Sequence, residues 1–192
     1  MYRESDPVMK QKCNVQVCEM LEPYKGQRIM LLDGPDALTT QMLCAAGHAQ
    51  KNLVVFNWSE DSSRKIRQIT QGQVQVVTQD VTRGLLDWPA DDDNDGILFA
   101  GGWLDLCGNA PRAVEAFRVM LDRKLVADDA AFAVTWCTRN PRGNVFSDEK
   151  HQHSFDGEAE IMQLAEAAGY VTVKLHGSFI HLVALKQRTK YG

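Results

Sequence analysis

Four places along the chain set a carboxylate or amide side chain directly after an apolar run. Asp33-Gly34 follows RIMLL, Asn57-Trp58 follows LVVF, Asp80-Val81 follows VQVVTQ, and Asp105 follows GILFAGGWL. Carboxylates and amides accept hydrogen bonds from hydroxyls and amines, and a glycine lets a ligand approach the backbone closely. The first of these places is the most telling, because residues 28–43, RIMLLDGPDALTTQML, read as strand, glycine turn and helix. That is how a Rossmann-type sheet makes a nucleotide site.

Other reactive side chains are more ambiguous. Asp105, in LDLCGN, could orient or deprotonate a substrate group, or it could cap the helix that starts near Ala110, a service Asn109 performs equally well. Cys107 lacks the neighbouring proline of enzymes that methylate a pyrimidine carbon and reads better as a small packed thiol. In the segment 138–155, Arg139, Arg142, Lys150, His151 and His153 gather positive or titratable groups, either around an arriving substrate or in a solvated loop. His151 and His153 with Cys137 make a weak metal pattern, since no second closely spaced pair accompanies them. His176 and His181 read as structural, and Trp103 and Trp136 either wall a pocket or pack in the core. DWPADDDNDG, 87–96, lacks the spaced ligands and closing glutamate of an EF-hand and reads as an acidic loop.

The elements that would position these groups alternate. The pattern predicts a helix over 6–22, then strand 28–33, helix 36–47, strand 52–57, helix 59–70, strand 74–78, a loop and strand 95–102. Helix 110–124, strand 130–137, a loop, helix 156–168 and strands 170–176 and 179–187 complete the series. The opening helix ends at Glu22-Pro23-Tyr24-Lys25-Gly26 and reads as a lid before the first strand. The last two strands are separated only by Gly177-Ser178, a gap that joins antiparallel neighbours. The expected architecture is α/β: a Rossmann-like, doubly wound, mostly parallel seven-stranded sheet closed by a C-terminal antiparallel hairpin.

Bulk properties bound the partners. With 192 residues and 44% hydrophobic content the chain fits one domain, residues 1–27 forming an N-terminal helical extension. A net charge of −4 gives no general affinity for nucleic acid. Five scattered cysteines without a CxxC pair fit reduced thiols, and no apolar run is long enough to span a bilayer. A cytoplasmic protein with no membrane partner is the expectation. There is no internal repeat.

Strand, turn and helix three times over, a fourth and fifth strand each with a helix, and a terminal hairpin resemble the class I S-adenosylmethionine-dependent methyltransferase fold over about residues 28–187. The resemblance implies S-adenosylmethionine as cofactor and a small-molecule or macromolecular methyl acceptor. It matches Asp33 to the acid ending the first strand, with Gly34 and Asp36 in the turn. It matches Asn57, beside Trp58, to the ribose-binding residue, and Asp80, followed by Val81, to the residue that contacts the adenine amine. Asp105 falls where the family faces the transferred methyl. Two positions depart from the pattern. The family turn carries glycines at alternating positions where this chain reads Asp33-Gly34-Pro35-Asp36-Ala37-Leu38-Thr39, and Asn57 replaces a carboxylate. Those departures keep a second expectation open, a non-catalytic binding or assembly module on the same fold. A nicotinamide-dependent reductase ranks last, because GxGxxG is missing after the first strand.

Overall fold

Each helix of this protein has a readable start or stop, and the strands between them alternate their side chains between two covered faces. The computed structural model describes residues 7–89, 98–106, 110–136, 159–173 and 182–186. In chain order these form α1 (Pro7–Leu21), β1 (Ile29–Leu32), α2 (Leu38–Ala45), β2 (Leu53–Phe56), α3 (Glu60–Ile69), β3 (Gln75–Val77) and α4 (Val81–Leu86). Then come β4 (Phe99–Leu106), α5 (Ala110–Asp122), β5 (Val126–Trp136), a helix α6 over 159–167, β6 (Val171–Val173) and β7 (Leu182–Lys186).

The helix ends have a common cause. α2, α3, α5 and α6 each stop at a left-handed residue, Gly47, Gln71, Lys124 and Gly169. In each the following amide donates five residues back, as from His48 to Leu43 O at 3.0 Å and from Leu125 to Met120 O at 3.0 Å. This is the Schellman closure, which satisfies carbonyls that a helix end would otherwise leave bare. At their starts, Ser59 accepts from the Ser62 amide and Asp80 from the Thr82 amide, capping α3 and α4.

The sheet runs β3-β2-β1-β4-β5-β7-β6. β1 through β5 are mutually parallel, whereas β7 pairs antiparallel with both β5 and β6. Odd and even side chains go to separate cores. Ile29, Leu31, Val55, Ala131 and Ala133 pack with Val17 and Leu21 of α1, Leu43 of α2 and Ile66 of α3. Met30, Val54, Phe56, Phe132 and Val134 pack with Leu85 of α4, Phe117 and Met120 of α5 and Ile161 of α6. Parallel strands covered on both faces are the α/β arrangement, and the apolar content of each strand follows from that double burial.

Close approach explains the two glycines in β4. A Cβ on Gly101 would lie 2.8 Å from Ala131 O and against Leu21 of α1, and one on Gly102 would lie 2.6 Å from Met30 O. At Ala100 the register with β5 shifts: Phe99 pairs with Val126 and Gly101 with Ala131. The resulting bulge turns Ala100 and Gly101 toward the same face.

Three expectations are corrected. The first helix is not a lid, because Val17 and Leu21 are fully buried against the sheet. The segment after β3, expected as loop, contains α4, a six-residue helix that Gly84 obscures in the sequence but that lets α4 lie against the Phe56 ring. β4 begins and ends four residues later than expected, at Phe99 and Leu106, because Gly101-Gly102 are packing positions within the strand rather than its terminus. The Gly177-Ser178 turn, the acidic stretch 90–97, Cys107 to Asn109 and the segment 138–155 lie outside the described residues, as do His176 and His181.

The Schellman closure of α2 also buries His48, whose ring nitrogens find no hydrogen-bond partner among the described residues. Burial, and secondarily the charge of Lys25, lowers its pKa from 6.5, with Glu22 opposing. The unfolded chain then binds the proton more readily than the folded one. This contribution to stability is complete above pH 6.5 and is lost as pH falls from there through the lower folded value. Urea midpoints at pH 7.5 and pH 5 are expected to show a smaller acid-side loss in His48→Leu than in the natural chain; equal losses contradict this origin.

Candidate active site

The carboxyl ends of β1, β2 and β3 are level and β4 runs two residues farther, and this brings the sequence-selected residues together. Leu32 pairs with Phe56 and Phe56 with Val77, so Asp33, Asn57 and Thr78 come next in one row. The Asn57 Nδ2 donates to Asp33 O at 2.8 Å, and the Asn57 amide donates to Val77 O at 3.1 Å. Leu31 pairs with Trp103, which sets Asp105 two residues beyond, at the height of Asp33. β1 and β4 are the strands from which the chain proceeds to opposite faces, to α2 on one and α5 on the other. Such a switch point opens a crevice at the carboxyl ends.

Hydrogen bonds close the turn after β1. Asp33 is nearly buried; its Oδ1 accepts from the Gly34 amide at 3.0 Å, and its Oδ2 accepts both the Thr40 amide and the Thr40 hydroxyl at 2.8 Å. The carboxylate therefore acts on the turn itself, as a charge-assisted clamp between β1 and α2. At the start of α2, Ala37 takes a left-handed conformation (φ 49°, ψ 38°) with its methyl fully buried. Gly34 has no such need: its φ is not positive and a Cβ there would meet nothing within 4 Å. The conformation that favours glycine is thus adopted by an alanine whose side chain turns inward, leaving the crevice unobstructed on that side.

Asn57 is held at both ends. Besides the bond to Asp33 O, its Oδ1 accepts the Ser59 amide at 2.8 Å, which starts α3. Trp58 beside it is 80% exposed, an uncommon setting for an indole. On the other side of the row, Arg67 of α3 donates to Thr78 Oγ1 at 2.7 Å and Val76 O at 3.1 Å, anchoring the end of β3.

Asp80 is exposed, with Oδ1 committed to the cap of α4, while Val81 is buried behind it. The two border a cleft of about 290 Å³ whose walls are Arg83 and Leu86 of α4 and Arg112 and Glu115 of α5, with Leu106 at the end of β4. The four charges on its walls, Asp80, Arg83, Arg112 and Glu115, are two of each sign, and Arg83 is also paired with Asp87 at 2.9 Å. Asp105 lies on β4 itself rather than in a following loop. Trp103, two residues before it, buries its indole and donates to Thr135 Oγ1 at 2.8 Å. Asp36 is exposed in the turn, and the Gln41 side-chain Nε2 donates to its carbonyl at 2.7 Å.

Sequence reasoning missed Thr40, Thr39, Asn14 and Arg67. The consecutive threonines immediately after a strand-ending acid were the available signal for the first pair. For Asn14 it was an amide within an otherwise apolar helical stripe.

No protein-family model matches the chain, and no curated protein does. Solved structures do. The 1,6-didemethyltoxoflavin-N1-methyltransferase of Burkholderia thailandensis, crystallised with 1,6-didemethyltoxoflavin and S-adenosylhomocysteine, is similar over 95% of this chain and 82% of its own, with a TM-score of 0.52 at 14% identity. Rv0187 from MTB, a cofactor-bound structure, is similar over 98% of this chain and 84% of its own, with a TM-score of 0.62 at 15% identity. A Corynebacterium glutamicum protein is similar over 99% and 94%, with a TM-score of 0.67 at 10% identity. At such identities the likeness is one of fold: this chain has the fold of the class I S-adenosylmethionine-dependent methyltransferases.

The strained alanine makes a specific expectation. Ala37→Gly relieves about 1 kcal/mol of left-handed strain and forfeits a buried methyl worth about 0.8 kcal/mol, so stability should stay within about 1 kcal/mol of the natural chain. Ala37→Val, β-branched in the same conformation, is expected to lose about 2 kcal/mol or more. Urea denaturation of both variants checks this; a tolerated valine would mean that the turn does not adopt the left-handed start.

Proposed function

We propose that this protein is an S-adenosylmethionine-dependent methyltransferase, on a seven-stranded sheet closed by a C-terminal hairpin, acting on an acceptor not yet identified. The observation that carries the reading is the alignment of Asp33, Asn57 and Thr78 in one row at the carboxyl ends of β1, β2 and β3, with the exposed Trp58 and Asp80 following within two residues of that row. The residues present fit the cofactor. Trp58 offers an exposed flat ring for the adenine, and Asp80 keeps Oδ2 as an acceptor for the exocyclic amine, with Val81 opening α4 beside it. Asn57, although engaged by Asp33 O and the Ser59 amide, retains a second amide hydrogen for a ribose hydroxyl. Asp33 acts through the turn, and the Gly34 to Asp36 backbone lines the approach of the methionine portion.

When bound, S-adenosylmethionine supplies an electrophilic methyl group on a sulfonium. The protein's task is then mostly positioning. Asp105, level with Asp33 on β4, orients the acceptor and receives its proton where the acceptor must be deprotonated. Trp103 and Thr135 fix the strand ends beside it through their buried hydrogen bond. Burial raises the pKa of the Cys18 and Cys44 thiols and so keeps them protonated and unreactive; scattered cysteines without a CxxC pair suit a reducing compartment such as the cytoplasm. No helix among the described residues is long and apolar enough to cross a membrane.

Titration calorimetry with S-adenosylmethionine and S-adenosylhomocysteine tests the reading. Saturable binding is expected, weakened about tenfold by Asp80→Ala and by Trp58→Ala. Absence of binding at millimolar cofactor would favour the non-catalytic module instead.

A further inference from the structure

The buried face of α1 is apolar at Cys13, Val17 and Leu21 and carries a polar side chain at Asn14, which is 2% exposed. A buried amide is costly unless it is bonded. Its Oδ1 accepts the hydroxyl of Thr39, itself buried, at 3.0 Å and 25 residues away. The neighbouring Thr40 gives its amide and its hydroxyl to Asp33. Two consecutive threonines in the first turn of α2 therefore reach in two directions, one to α1 and one to the end of β1.

The turn needs this outside hold. The residue at the start of α2, Ala37, is left-handed and supplies no side-chain cap, and Gly34 has open space where a side chain would be. Between Asp33 and Thr40 the backbone closes on itself through the Ala37 amide bonded to Gly34 O at 3.0 Å, and the Ala37 carbonyl accepts the Gln41 backbone amide at 2.8 Å. We propose that Asn14 is a positioning residue: through Thr39 it fixes the first turn of α2, and so sets the shape of the 33–40 segment against which the cofactor's methionine portion lies. This inference rests on the methyltransferase reading for its ligand, but not for the mechanical link between α1 and the turn. Small buried networks of this kind are cooperative, so loss of either partner should release the same constraint.

Hydrogen exchange of the 34–40 backbone and S-adenosylhomocysteine calorimetry, on the full chain, test it together. Asn14→Leu and Thr39→Val are each expected to speed exchange in that segment and to weaken S-adenosylhomocysteine binding, both about tenfold. The double variant should be no worse than either single one, and Thr39→Ser, which keeps the hydroxyl, should behave as the natural chain. Val17→Ala, a deletion on the same face of α1, should lower thermal stability without changing the affinity. Should Asn14→Leu fail to fold, Thr39→Val carries the same comparison from the α2 side. Unchanged exchange in the variants, or an equal affinity loss in Val17→Ala, overturns the role of Asn14. If the natural chain binds no S-adenosylhomocysteine while the exchange difference persists, the methyltransferase reading fails and the α1-to-turn link stands.

Discussion

The Asp33 carboxylate is the contact on which the crevice depends. One oxygen accepts from the amide immediately after it and the other from both donors of Thr40, across the turn that joins β1 to α2. In a nearly buried setting these bonds satisfy a charge that would otherwise be costly to withhold from water. Asp33 O receives the Asn57 side chain, and Asn57 in turn accepts the amide that starts α3. The first two strand ends and the first residues of two helices are thereby tied to one residue. The amide at position 57 has a structural role: its N–H donates to a carbonyl that a carboxylate would repel.

Around that contact, the rest of the molecule decides where space is left. Helices on both faces force the chain to part between β1 and β4, because α2 packs against one core and α5 against the other. Gly101 and Gly102 keep β4 close to its neighbours at mid-strand, while its end stays paired with β5 and runs past β1, carrying Asp105 on one side and Leu106 toward the cleft on the other. The amino ends of the strands are closed differently. There Tyr24 donates to Asp129 at 3.1 Å, and burial with this acidic partner pushes its pKa up to about 12. The two ends of the sheet thus differ in kind, one knitted by tyrosine and Schellman closures and the other left with an exposed indole and an open cleft.

Much of this was legible in the chain. Continuous apolar runs ending at Asp33 and Asn57 located two strand ends, because those strands are covered on both faces, and the helical stripe at Ala113, Ala116, Phe117 and Met120 located α5. What was hidden was hidden for physical reasons. α4 has six residues and a glycine at its centre, too short for periodicity to register, and it exists because Asp80 caps it and Gly84 admits the Phe56 ring. Gly101-Gly102 looked like a strand terminus, whereas backbone contact with Met30 and Ala131 demands glycine there. The α1 helix looked like a lid because its hydrophobic residues are not confined to one stripe, yet Val17 and Leu21 reach the core. At the site, the glycine in the sequence drew attention to Gly34, but the left-handed residue is Ala37; side-chain type alone does not reveal which position carries the positive φ.

The central claim, that a nucleotide-like cofactor is held where β1, β2 and β3 end, is tested most directly by amide and indole NMR shifts during titration with S-adenosylhomocysteine. Saturable shifts are expected at Gly34, Asp36, the Trp58 indole and Val81, with the Tyr24 and Asp129 end of the sheet unmoved. Shifts confined to that opposite end, or none at saturating ligand, would contradict it.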